Sequence, residues 1–159
     1  MEFLNAILDL LTNYVLVSAF FGWLTAQIIK VFTGIFRKKD FSLVELFFGT
    51  GGMPSSHTAA VTSLSCAVAI KLGFGSPAFA MCAILAMIVM RDATGMRRQV
   101  GEQAKALNLI LQELFESKDP VVTERALNEL AGHTPLQVVA GAVVGIVVPF
   151  LVNLIPIFA

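Results

Sequence analysis

The chain contains two imidazoles, His57 and His133, and each stands at a turn that reads as the start of a helix. His57 closes the run Gly51-Gly52-Met53-Pro54-Ser55-Ser56-His57, in which two glycines and a proline lead into a serine-capped helix. His133 follows Gly132 and precedes Thr134-Pro135, with proline at the first helical position. Backbone N–H groups at a glycine-rich turn and a helix N-terminus make a cradle for an anion. One imidazole beside such an anion can attack phosphorus, and a second can protonate the leaving oxygen.

Cations accompany the histidines. Lys30 and Arg37 are two helical turns apart and share a face. Asp92, Arg97 and Arg98 follow an apolar run. Each group also has a plain structural reading. Lys30 and Arg37 can be cations snorkelling at a helix end. The Ser55 turn can be a simple N-cap, the Asp92–Arg98 stretch an interfacial partner of anionic headgroups, and His133 only the mark of a helix start.

What positions these residues is a membrane. Of 159 residues, 57% are hydrophobic and 14% charged, with mean hydropathy +0.81; a soluble domain would carry about 25% charged residues. The expected fold is all-α: one integral membrane helix bundle, a single domain over 1–159. It should have about four transmembrane helices plus amphipathic surface helices. The spans are expected at Tyr14–Phe32 (with an apolar lead-in upstream), Ser56–Leu72, Pro77–Met90 and Pro135–Phe158. The middle two are shorter than the ~20 residues of a free-standing span and should meet protein rather than lipid at their ends. Gly141 and Gly145 form a small-xxx-small pair suited to close helix contact, and Pro149 and Pro156 predict a kink or an early end. Residues 91–132 read as an inserted amphipathic region of two helices. The first presents Ala104, Leu107, Ile110, Leu111, Leu114 and Phe115, and the second is opened by Asp119-Pro120 and closed by Gly132. The part of this region from Gly101 to Gly132 is the natural candidate for a lid. Cys66 and Cys82 sit in apolar runs, as small hydrophobes.

With four spans, ten of the eleven basic residues fall at one end of the bundle, and Lys71 alone at the other. That bias turns the basic end toward the cytoplasm. The same topology brings Lys30 and Arg37, Ser55-Ser56-His57, Asp92 with Arg97 and Arg98, and His133 to one membrane face. The separate structural readings do not predict that convergence. A net charge of zero argues against a nucleic-acid partner.

These residues resemble the type-2 phosphatidic acid phosphatase superfamily, which also holds the vanadium-dependent haloperoxidases. The likeness is to its divergent branch of small membrane proteins. In that superfamily a first motif has Lys, six residues, then Arg-Pro; Lys30 and Arg37 match, with Lys38 in the proline's place. Pro54-Ser55-Ser56-His57 resembles the second, Pro-Ser-Gly-His. The third, Ser-Arg, five residues, His, three residues, Asp, is here divided. Arg97-Arg98 stands for its first half and His133 for its second, with Gln137 at the Asp position.

The resemblance implies His133 as the nucleophile that forms a phosphohistidine and His57 as general acid. Lys30, Arg37, Ser55, Ser56 and Arg97 or Arg98 would hold the phosphoryl group. It implies no metal and no cofactor, with vanadate acting as a phosphate mimic that inhibits. Gln137 can accept a hydrogen bond but brings no charge to the imidazolium, which leaves Asp92 or Glu129 to supply it. The expected partners are the bilayer and a lipid phosphate (phosphatidate, phosphatidylglycerophosphate or polyprenyl phosphate), met at the cytoplasmic face of the cytoplasmic membrane; a homo-oligomer is left open. The alternative is a lipid-phosphate binder or carrier that keeps the pocket without turnover.

Overall fold

The computed structural model describes residues 1–35, 52–115 and 133–158, without the side chains of 34, 35, 96, 97 and 112–115. Among these residues all regular structure is helical: α1 (Glu2–Leu11), α2 (Tyr14–Ile35), α3 (Ser56–Leu72), α4 (Pro77–Thr94), α5 (Met96–Phe115) and α6 (Pro135–Asn153).

The apolar lead-in is a helix of its own rather than an extension of the first span. Thr12 turns its hydroxyl back onto the Leu8 carbonyl at 2.7 Å, and Asn13 Oδ1 accepts the Leu16 N–H at 3.1 Å. The break follows because two side chains satisfy the helix-end groups that continued helix would otherwise pair.

α2 shows why this is a membrane protein. Its buried stripe is Tyr14, Ser18, Gly22, Ala26, Gln27 and Lys30, and its outward residues include Leu16, Phe20, Phe21, Ile28 and Phe32. Small and polar groups lie inside while large apolar groups face out, the reverse of a soluble core and the pattern expected where lipid is the solvent. α4 and α6 repeat it with outward Met81, Ile84, Met87 and Ile88, and with Val139, Val143 and Phe150.

Three helical stretches are long and apolar enough to cross a bilayer: Tyr14–Thr33, the one that begins at Pro77 and runs on through α5, and Pro135–Asn153. α3, the remaining expected span, differs from these three in length and composition. At 17 residues and rich in Ser, Thr and Ala, it is enclosed by α2, α4 and α6, so its polar side chains are screened from lipid. Glycines permit that enclosure. A Cβ on Gly145 would come within 2.7 Å of the Ala59 carbonyl oxygen, and one on Gly22 within 3.1 Å of it.

The fourth expected span is shortened, since α6 ends at Asn153 and Pro156 lies beyond it. Pro149, by contrast, stands inside the helix. Proline has no N–H for the carbonyl four residues back, which is that of Gly145. The Ser63 hydroxyl takes the vacancy, donating to Gly145 O at 3.1 Å, and Tyr14 donates to Pro149 O at 2.8 Å. Neighbouring helices thus satisfy the backbone that proline frees.

α5 covers the first of the two amphipathic helices expected in 91–132. The helix buries Gly101, Ala104 and Asn108 and leaves Leu107 and Ile110 outward, because contact in this bundle runs through small residues. The second amphipathic helix, with Asp119, Glu129 and Gly132, lies outside the described residues.

Candidate functional site

Three hydrogen bonds between elements draw the ends of α2, α3, α4 and α6 together. The Thr33 hydroxyl, near the end of α2, donates to Met53 O at 2.8 Å. The Ser55 N–H donates to Gln137 O in the first turn of α6 at 3.0 Å. The His133 N–H donates to Ala93 O, in the last turn of α4, at 3.0 Å. The topology therefore brings Lys30, Ser55, Ser56, His57, Asp92 and His133 to one end of the bundle.

Lys30 is buried, with 5% of its surface exposed, so it does not snorkel. Its stem runs beneath Gly52, where a Cβ would stand 2.8 Å from Lys30 Cγ. Gly52 also has φ +100°, a conformation side chains resist. Two independent reasons thus favour glycine at that position, and one of them is room for the Lys30 stem.

The turn that follows carries the serines. Ser55 is fully buried and caps α3: its Oγ accepts from Thr58 N at 3.4 Å and from Thr58 Oγ1 at 3.0 Å. Ser56 is buried behind it, while His57 faces outward from the first turn. His133 is buried, at 6% exposure. The two imidazoles thus differ in access, one enclosed among helix ends and one at their edge. Asp92 is half-buried and precedes the residue whose carbonyl holds the His133 backbone.

Gln137 is engaged in a capping box. Its Oε1 accepts the Thr134 N–H at 2.8 Å, and its own N–H donates to Thr134 Oγ1 at 3.4 Å. This is the reciprocal N-cap arrangement of helix starts. The same residue gives its backbone oxygen to Ser55, so it ties the two histidine-bearing turns to each other.

Arg98 is turned away, half-exposed and paired with Glu102 on its own helix at 3.1 Å. Arg37 lies outside the described residues, and so does the side chain of Arg97. Sequence reasoning missed Thr33 and Thr134, the two hydroxyls that fasten the site. Thr33 was findable as the neighbour of Lys30 one helical turn on, and Thr134 as the first member of a Thr-x-x-Gln capping box.

A model of the divergent PAP2 family matches residues 11–148 of this chain. The chain belongs to the divergent PAP2 family. Within that likeness it is 45% identical over 150 residues to the uncharacterized membrane protein YuiD of Bacillus subtilis (strain 168), covering 87% of this chain and 93% of YuiD. No solved structure matches. The family match spans α2 to α5 and most of α6, so the helix ends that carry the site lie inside it.

Proposed function

We propose that this divergent PAP2 protein is a metal-independent lipid-phosphate phosphatase that acts through a phosphohistidine. The observation that carries the reading is the set of three hydrogen bonds from Thr33, Ser55 and His133, which bring a buried lysine and two histidines to one end of a membrane bundle. Lys30, Ser56 and the first-turn N–H groups of α3 hold the phosphoryl oxygens, with Arg37 and Arg97 as further cations; Arg98, paired with Glu102, is not one of them. Ser55 shapes this cradle chiefly as its cap.

A ring nitrogen of His133 attacks phosphorus and the bond to the ester oxygen breaks. His57 gives that oxygen its proton, and the lipid leaves as an alcohol. Water, activated by the now neutral His57, then cleaves the phosphohistidine, which releases phosphate and restores both imidazoles. Asp92 supplies the negative charge that favours the His133 cation, since Gln137 has none to offer. The substrates are phosphatidate, phosphatidylglycerophosphate or polyprenyl phosphates, whose tails lie in the bilayer and whose phosphate reaches the basic end. That end faces the cytoplasm by its excess of Lys and Arg.

The test is phosphate release from a lipid-phosphate panel by purified protein in EDTA, together with acid-labile and base-stable labelling of the protein. Release that persists in EDTA, competes with vanadate and disappears in His133→Ala is the expected result. Release that stops with chelator, or survives both His133→Ala and His57→Ala, sinks the proposal. One observation favours a second reading, a lipid-phosphate binder without turnover: the Gln137 amide is committed to the Thr134 backbone. That reading predicts vanadate binding with no phosphate release.

A further inference from the structure

The outer face of α4 carries a groove of which the proposed chemistry uses only Asp92. It encloses about 780 Å³ and is lined by Ile84, Met87, Ile88, Arg91, Asp92, Gly95 and Gln99. That volume lies within the ~300–1,000 Å³ of small-molecule sites. The lining is ordered along the helix. Ile84, Met87 and Ile88 come first and are largely exposed; Arg91 follows one turn on, and Gly95 and Gln99 close the polar end where α4 passes into α5. An apolar trough that ends in a guanidinium matches an amphiphile with a hydrocarbon tail and an anionic head. Its polar end lies beside the candidate site, because Asp92 lines the groove while the next residue, Ala93, holds the His133 backbone at 3.0 Å.

We infer that this groove is the tail subsite of a lipid phosphate: one acyl or prenyl chain lies along Ile84, Met87 and Ile88, and Arg91 takes the phosphate before it passes to the His133 end. The orientation follows from charge. Arg91 carries the positive charge of the lining, and it stands at the end of the groove nearest the site. A chain along the three apolar residues points its head toward the helix ends and its tail toward the membrane centre. The groove opens outward to lipid, so the substrate enters sideways without leaving the bilayer. Arg91 is therefore a specificity-determining residue, and Met87 sets how chain length is sensed.

This deepens the phosphatase reading and names the route to that site, but it is tested by binding alone. Purified full-length protein carrying His133→Ala, so that nothing turns over, is titrated with phosphatidic acids of increasing chain length and with the matching diacylglycerols. Bound lipid is counted by native mass spectrometry. The expected result is retention that rises with chain length and favours the phosphate by about tenfold, the scale of one charge-assisted hydrogen bond. Adding Met87→Trp, or Ile84→Trp as a second variant on the same outward face, removes the length dependence. Adding Arg91→Gln removes the preference for phosphatidic acid over diacylglycerol. The inference fails if the parent shows neither preference, if both tryptophan variants keep the length dependence, or if Arg91→Gln keeps the headgroup preference. Failure of the phosphatase reading shows itself separately, as absent phosphate release from protein with His133 intact.

Discussion

Gly52→Ala probes the link between backbone geometry and the buried cation. The new Cβ would stand 2.8 Å from Lys30 Cγ and 3.2 Å from Cδ. Carbon atoms in ordinary contact keep about 3.5–4.0 Å, so the lysine stem must withdraw by roughly 1 Å. A displacement of that size at a reacting centre costs about 10² in rate, or about 2.7 kcal/mol of barrier. The residue's φ of +100° adds strain of order 1–3 kcal/mol to the fold. For a chain of this length that lowers Tm by roughly 2–4 °C per kcal/mol. The molecule contains its own control. Gly73 has φ +81° at the far end of α3, with nothing within 4 Å of its would-be Cβ. Gly73→Ala should lose comparable stability and keep its rate, whereas Gly52→Ala should lose both. The assay is phosphate release in EDTA alongside thermal unfolding in the same detergent. Equal rates for the two variants would refute the claim that Gly52 positions Lys30 for chemistry.

Three further outcomes follow from the same geometry. Ser63→Ala strands the Gly145 carbonyl and should cost about 1–3 kcal/mol of stability, read as a lower Tm. Gly145→Ala places a methyl 2.7 Å from the Ala59 oxygen and should cost about 1–3 kcal/mol by overpacking, visible as a lower melting point in detergent. Gln137→Glu keeps the capping box, since glutamate serves that position, and brings a carboxylate toward His133. Turnover should rise while Gln137→Ala loses about 0.5–2 kcal/mol of stability; a rate unchanged by the glutamate would mean that charge near His133 is already sufficient.

How far the sequence could be read depended on the kind of signal. The Ser55 cap was legible because its chemistry is local: it acts within three residues, and α3 begins where it dictates. The small-xxx-small pair was legible for the same reason, as a spacing on one helix face. The extent of the enclosure of α3 was not, because hydropathy averages over a helix while burial among three neighbours depends on all of them at once. α5 shows a related effect. A period of apolar residues marks the inward face only where water is the solvent, and here Leu107 and Ile110 turn out while Asn108 turns in. In the site, topology and the charge pattern pointed to one end of the bundle. The bonds that join the helix ends there were invisible, since Thr33 to Met53 and His133 to Ala93 pair residues 20 and 40 positions apart, which no local rule brings together.

Pro149 has a consequence for tolerance to change. By deleting one donor it leaves the Gly145 carbonyl open to a partner from outside the helix, and Ser63 is that partner. This bond acts as a datum for the height of α6 against α3. From Gly145 to the start of α6 is roughly 15 Å at 1.5 Å per residue, and His133 lies just beyond. A residue inserted between Pro135 and Gly145 would keep the datum yet lift His133 by about 1.5 Å and swing it by about 100°. Insertions on the Phe158 side of Pro149 would leave that height alone. The two arms of α6 should therefore accept length changes very unequally, which makes the proline the zero mark of the scale on which the histidine is placed.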